Sequence, residues 1–378
     1  VSTEVSMIRS LHILHTEALK GPGGQTLRVL NEAQGMMARG HKVTLICRPN
    51  TFIYQDALRR GIPCVAMALD RKSFRTARKL RRWLRENPVD VINTHSSADS
   101  WVVAMAQLSF RKRKIPVVRT RHTQRSVGRN LKSRWLYTRA SQFIVTTGEG
   151  VRCRLIEDNG FDPDRIRSFP SGVDHQLFCP GDSEVARRNL GLPVDKTIVG
   201  MVALFSPEKG YEDLIRAAGR LENQNLHWVL VGDENRDGSY REKLKQLARE
   251  EGVDEQVTFA GFQSDVAPWF QSMDIFCLPT FAKEGVPQVI LQAMLCRLPV
   301  ITTGVGSILD AVEDKVTGLV VQPRDPVALA DAIETLTKDI RLREALAEHG
   351  HRKGLSHFTL ESMLDGMEGV FQKVVESF

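Results

Sequence analysis

The sequence predicts two α/β domains, each a doubly wound parallel sheet flanked by helices. Three observations predict it: the length, a repeated alternation of short β-branched runs with helical patterns, and a break in that alternation near mid-chain. At 378 residues the chain exceeds the size at which a single hydrophobic core keeps growing. A hydrophobic content of 42% with 26% charged residues is ordinary for a globular chain and argues against disorder.

In the first half, Leu11 to His15, Lys42 to Cys47, Val89 to Asn93, Val117 to Thr120 and Phe143 to Thr147 read as strands. Helical stretches separate them. Gln25 to Arg39 is one, with Leu27, Leu30 and Gln34 to Met37 at helical spacing and Gly40 placed to end it. Alternation of this kind implies parallel strands joined by helical crossovers. It breaks at Phe169-Pro-Ser-Gly-Val-Asp174 and Phe178-Cys-Pro-Gly-Asp182, where Pro, Gly and Asp cluster without periodicity. The linker is placed there. Strands resume at Thr197 to Ala203, Trp228 to Val231, Val257 to Gly261, Ile275 to Leu278 and Pro299 to Thr303. The expected organisation is a first domain over residues 1–180, a second over 181–357, and a C-terminal helix over 358–378 crossing back to the first domain. Two such units facing each other imply a cleft, with ligands at the carboxyl ends of the strands.

No apolar run approaches the ~20 residues of a membrane span, and the N-terminal segment carries no signal-peptide pattern. Six scattered cysteines form no C-x-x-C pair, so a reducing, cytoplasmic setting is expected. Charge is uneven. Residues 1–180 hold 31 basic and 14 acidic side chains, and the remainder holds 21 and 31. The first half therefore attracts polyanions: nucleic acid, an anionic membrane face or a phosphorylated substrate.

Three segments carry candidate chemistry. Thr16 to Gln25 follows a strand and opens a helix, so its glycines let backbone N–H groups approach a phosphate; a plain turn is the alternative. In Phe205-Ser-Pro-Glu-Lys-Gly210, Lys209 stands where a strand's carboxyl end meets a helix start, placed to neutralise a diphosphate. A solvated surface lysine is its alternative. Glu284 sits just before a helix with Pro287 as its first residue. Its carboxylate is suited to sugar hydroxyls, or simply to capping that helix. Gln288 and Gln292 lie one turn apart on the same face.

The succession GPGGQ, ARGHKVTLI, SFPSGVDHQLF, SPEKGYEDLIRAA, LVGD, VTFAGF, SMDIFCLPT, EGVPQVILQAM, LPVITTGVGSILDAV and TGLVV resembles glycosyltransferase family 4, the retaining GT-B enzymes, over nearly the entire chain. The resemblance implies the GT-B fold and sugar transfer from a UDP- or GDP-sugar with retention of configuration. No cofactor and no metal are expected. By resemblance Glu284 contacts the donor sugar, Lys209 binds the diphosphate, His122 lies beside the donor sugar, and Gly23 and Gly24 form the loop that closes over it. Ser206, Gly261, Phe262, Gly285, Val286, Gln288 and Gln292 complete the expected donor-binding set, with base contacts made by backbone around Gly261 and Phe262. Three positions depart from the family pattern: Gln292 replaces a second glutamate, Leu204 an arginine that accompanies the lysine, and Asp310 a glutamate. Arg28 is one basic group that would substitute for that arginine. Asp162-Pro-Asp164 has D-x-D spacing but reads as a turn.

Arg71 to Arg85 carry eight Lys/Arg, while Phe74, Ala77, Leu80 and Leu84 form one helical stripe. Arg71, Arg75, Arg78 and Arg82, with Arg121 and Arg125, are the expected acceptor or membrane contacts. The acceptor implied is lipid-linked, lipopolysaccharide or another cell-envelope glycan, at the anionic inner face of the membrane. A nucleotide-sugar epimerase and a non-catalytic nucleotide-sugar binder remain alternatives. No nucleic acid is expected, because the arginines lack aromatic interleaving and any recognition motif.

Overall fold

The computed structural model describes residues 9–21, 23–69, 71–108, 110, 114–123, 126–221, 225–233, 238–282 and 285–378. The chain divides into two compact units. Unit 1 runs to Gly172 and takes in Leu360–Phe378, and unit 2 is Val173–Thr359.

In unit 1 the strands are β1 (His12–Thr16), β2 (Lys42–Cys47), β3 (Cys64–Ala66), β4 (Val91–Thr94), β5 (Val117–Arg121), β6 (Phe143–Thr146) and β7 (Ile166–Ser168). They alternate with α1 (Gly24–Ala38), α2 (Phe52–Arg59), α3 (Phe74–Glu86), α4 (Ser97–Gln107), α5 (Leu131–Thr138) and α6 (Glu149–Glu157). The sheet order is β3-β2-β1-β4-β5-β6-β7, with every pair parallel. The inner strands are buried on both faces, which is why β2 reads as a largely apolar run.

Unit 2 holds α7 (Ser183–Leu190), β8 (Thr197–Val202), α8 (Tyr211–Arg220), β9 (Leu226–Val231), α9 (Ser239–Glu250), β10 (Val257–Gly261), α10 (Ala267–Ser272), β11 (Ile275–Leu278), α11 (Gln288–Leu295), β12 (Val300–Thr303), α12 (Ile308–Ala311), β13 (Leu319–Val321), α13 (Pro326–Lys338) and α14 (Ile340–His357). Its sheet order is β10-β9-β8-β11-β12-β13, again all parallel. One large apolar core joins both faces of this sheet to its helices.

The last helix, α15 (Leu360–Glu376), belongs to unit 1. Met363, Leu364, Met367, Val370, Phe371 and Val374 recur at helical spacing and bury against α1 and the sheet. Gly35 within α1 is costly for a helix, yet a Cβ there would collide with Leu364, so the glycine admits α15. A polar clasp closes the edge of this contact. Arg39 reaches Asp365 and Glu368, both at 2.7 Å, and His41 Nε2 meets Glu368 at 2.8 Å.

Three expectations need correction. Unit 2 begins at Val173 rather than 181, because the Val173 N–H donates to the Phe358 carbonyl at 3.0 Å and Val173 bridges to Thr359. Phe74 leaves the apolar stripe of α3: Ala77, Leu80 and Leu84 are buried, whereas Phe74 is 81% exposed at the first helical position, before the helix meets the sheet. Pro287 caps α11 in an extended conformation, and Gln288 is the first helical residue.

Candidate functional site

In an open parallel sheet the crevice forms at the carboxyl ends of the two strands where the order reverses. Those strands are β8 and β11 in unit 2, and β1 and β4 in unit 1. The candidate residues gather at both points.

In unit 2, β8 runs into Leu204, Phe205 and a single 3-10 turn over Pro207–Lys209 that Ser206 precedes. Gly210 ends this turn in the left-handed region, at φ 87°. A Cβ there would collide with the Pro279 carbonyl, so only glycine lets the turn lie against the end of β11. The Glu208 carbonyl accepts from the Phe281 N–H and the Thr280 hydroxyl, both at 2.9 Å. Thr302 and Thr303 of β12 donate to the carbonyls of Leu278 and Thr280. The Lys209 turn and the loop after β11 are thus one knitted surface.

Glu284 lies outside the described residues. Immediately after it, Gly285 is half-buried and Val286 buried, and α11 begins with Gln288. Gln288 and Gln292 are half-exposed, while Ile290 and Leu291 sink into the core, so the two amides share the outer face of the helix. At the neighbouring strand ends, the Gly232 N–H donates to the Gly261 carbonyl at 3.0 Å, and Phe262 projects with 70% of its surface exposed. Arg241 pairs with Asp233 at 2.6 Å close to Gly261; the sequence reading did not single out either residue. Leu204 is 45% exposed beside the Lys209 turn.

In unit 1 the loop after β1 is organised from beneath by Glu17. Its buried carboxylate accepts from the N–H groups of Ala18 and Leu19 at 2.7 and 2.8 Å, and from Gln25 Nε2 at 2.7 Å. Gln25 also donates to the His95 carbonyl at 3.2 Å, tying the loop to the end of β4. Gly23 then caps α1 and Gly24 opens it. Asp99 joins the same two strands: it accepts from the Thr16 hydroxyl and the His95 N–H, both at 2.9 Å, and completes a capping box with Ser96 on α4. Burial, reinforced by Asp99, raises the Glu17 carboxyl above its ordinary range.

His122 follows β5 and is half-buried. Its Nε2 meets His95 Nδ1 at 3.1 Å, and His95 Nε2 meets His15 Nδ1 at 3.0 Å. His15 and His95 were missed in sequence, although each sits at or just beyond the carboxyl end of a strand as His122 does. Arg28 is fully buried in α1, donating to the Phe169 carbonyl at 2.7 Å with Glu32 at 3.8 Å, and so is shielded from any ligand in this conformation. Burial pushes Glu32 up to about 7 against the pull of Arg28.

Arg75, Arg78 and Arg82 are exposed on α3 and Arg71 is exposed just before it; Arg82 pairs with Glu86 at 2.9 Å. Arg121 instead turns inward and donates to the Tyr137 hydroxyl at 2.7 Å. Arg125 lies outside the described residues. Asp162 and Asp164 belong to a turn in which the Asp162 carboxylate caps the Asp164 N–H. Among the described residues, no helix is long and apolar enough to cross a membrane.

The Gly210 geometry makes a prediction. Gly210→Ala forces both a collision with the Pro279 carbonyl and a strained φ, so it should destabilise unit 2 by more than about 1 kcal/mol. Chemical denaturation against the unsubstituted chain measures this; unchanged stability would show that the turn does not rest on β11 as described.

Residues 22–177 match the family model Glycosyltransferase Family 4, and residues 182–353 match Glycosyl transferases group 1. A D-inositol 3-phosphate glycosyltransferase of Stackebrandtia nassauensis is 31% identical over 62% of this chain and 55% of its own length. One of the same name from Nocardia farcinica is 29% identical over 93% of this chain and 87% of its own. Among solved structures, Anabaena Alr3699/HepE in complex with UDP-glucose superposes with a TM-score of 0.83 at 21% identity, covering 97% of this chain and 100% of that one. That likeness shows the fold. With two glycosyltransferase models in succession along a chain of two parallel-sheet units, this protein belongs to glycosyltransferase family 4 and has the GT-B fold.

Proposed function

We propose that the chain transfers a sugar, with retention and without a metal, from a UDP- or GDP-sugar to a phosphate-bearing lipid-linked, lipopolysaccharide or other envelope glycan. The observation that carries this reading is the joining of the Glu208 carbonyl to Thr280 and Phe281. It sets Lys209 beside the loop that leads through Glu284 to the free N–H groups of α11, a combination suited to a diphosphate. In the proposed step, the acceptor oxygen bonds to the anomeric carbon as the bond from that carbon to the diphosphate oxygen breaks. Lys209 and the α11 amides stabilise the departing charge, and the diphosphate oxygen takes the acceptor's proton on the same face. Glu284 holds the sugar hydroxyls, and Gln288 and Gln292 reach further along the nucleotide. The UDP-glucose held by the Anabaena protein of the same fold supports a nucleotide-sugar donor.

A second reading, binding without turnover, is favoured by Leu204: an apolar side chain stands exposed where the resemblance expects a cation, and Arg28 is buried. Sugar transfer measured across a panel of UDP- and GDP-sugars separates the two. Lys209→Ala should lower the rate about 100-fold or more, as for other groups that stabilise developing charge. A variant with an unchanged rate would remove Lys209 from the mechanism, and a parent chain that binds nucleotide but turns over no donor would favour the second reading.

The acceptor side is assigned to unit 1. Its exposed arginines on α3 and the projecting Phe74 supply charge and an apolar anchor for an anionic surface. Co-sedimentation with vesicles should rise with anionic lipid content and fall with added salt. Binding indifferent to both would contradict the assignment.

A further inference from the structure

Three histidines of unit 1, His15, His95 and His122, form a row of imidazoles that the proposed reaction does not by itself require. His15 Nδ1 lies 3.0 Å from His95 Nε2, and His95 Nδ1 lies 3.1 Å from His122 Nε2. The His15 and His95 rings stack at 5.3 Å and 12°, and His95 and His122 follow at 5.4 Å and 37°. His15 and His95 are buried, and His122 alone is half-exposed. No carboxylate among the described residues hydrogen-bonds to these rings. Asp99 is occupied by Thr16, Ser96, Ser100 and the His95 N–H, Glu17 by the loop, and Glu32 by Asn93.

Such a row has a direction. A neutral imidazole has one donor and one acceptor nitrogen, so His95 must donate to one neighbour and accept from the other. Two patterns exist. If hydrogen bonds run from His122 inward, His15 ends the row with an N–H on Nε2. If they run from His15 outward, His15 Nε2 is a bare lone pair, and His122 carries its proton on Nδ1. His15 Nε2 is buried with no partner among the described residues. Buried N–H groups without a partner are rarer than under-used acceptors, so the outward pattern is favoured. All three rings are kept neutral. Burial drives the His15 imidazole down to about 3; burial and the flanking His15 and His122 hold His95, and burial and the Arg28 charge hold His122, well below the usual histidine range.

We propose that His15 and His95 are positioning residues that fix His122 as the neutral imidazole with its proton on Nδ1, a hydrogen-bond donor just beyond the carboxyl end of β5 in unit 1. Its use on a substrate hydroxyl rests on the glycosyl-transfer reading above; the tautomer does not. The nitrogen that carries the proton is set by the bond its ring partner makes, and here that bond is supplied from inside the sheet. A donor of this kind selects an uncharged hydroxyl. It is neither a cation for a phosphate nor a base for the acceptor.

Nitrogen-15 NMR of the histidine-labelled, ligand-free full chain tests this directly. His122 should show a protonated Nδ1 and a bare Nε2 between about pH 5 and pH 8, the range in which an ordinary imidazole titrates. A proton on Nε2, or an imidazolium forming within that range, would overturn the proposal. His95→Phe removes both contacts and should let His122 mix its two neutral tautomers. Sugar transfer should then fall about tenfold, the worth of one hydrogen bond to a bound hydroxyl. His15→Phe, a second variant in case the first does not fold, should also release the single tautomer. Variants whose His122 spectra match the parent's would refute the positioning role. A parent chain with the expected tautomer and no transferase activity would instead sink only the transfer reading.

Discussion

Everything functional in this chain hangs on the reversal of strand order within each parallel sheet. A parallel strand needs a crossover to reach its neighbour, and crossovers leaving two adjacent strands in opposite directions part above the carboxyl ends. At β8 and β11 the gap is bridged at one backbone carbonyl, that of Glu208, which receives the Thr280 hydroxyl and the Phe281 N–H. At β1 and β4 it is bridged by side chains, Asp99 and Gln25 linking the two strand ends. Both bridges are short, direct hydrogen bonds between segments far apart in sequence. They place loops that have little regular structure of their own.

How much of this was legible follows from burial. Strands enclosed on both faces, such as Lys42–Cys47 and Ile275–Leu278, announce themselves as apolar runs with the bounds the structure gives. The strands missed, β3, β7 and β13, are each three residues long and lie at sheet edges, too short for a period of two to register. In the site, the Lys209 turn was visible because Gly210 and the strand before it are local signals. The knitting of that turn to Thr280 was not, since it joins residues more than seventy positions apart.

Arg28 and Phe74 show the opposite failure. Residue type alone offered Arg28 as a cation for a ligand, yet α1 presents it inward, where a backbone carbonyl and Glu32 hold it. Spacing alone placed Phe74 in the packed stripe, yet it lies at the first turn of α3, beyond the reach of the core. The histidine row was hidden for a related reason. His15 reads as a strand residue, His95 as a loop residue, and only parallel pairing of β1 with β4 and β4 with β5 brings them beside His122.

The charge imbalance acquires a physical sense in the two units. The basic first half presents its exposed arginines on α3, while the second half, net acidic, confines Lys209 to one turn at its switch point. The place where a nucleotide diphosphate binds is the direct measure of this site. Hydrogen exchange of the full chain, with and without UDP or GDP, locates it: slowed exchange is predicted over residues 205–211 and 285–292. Protection absent from both segments, or centred elsewhere in the chain, would contradict the account.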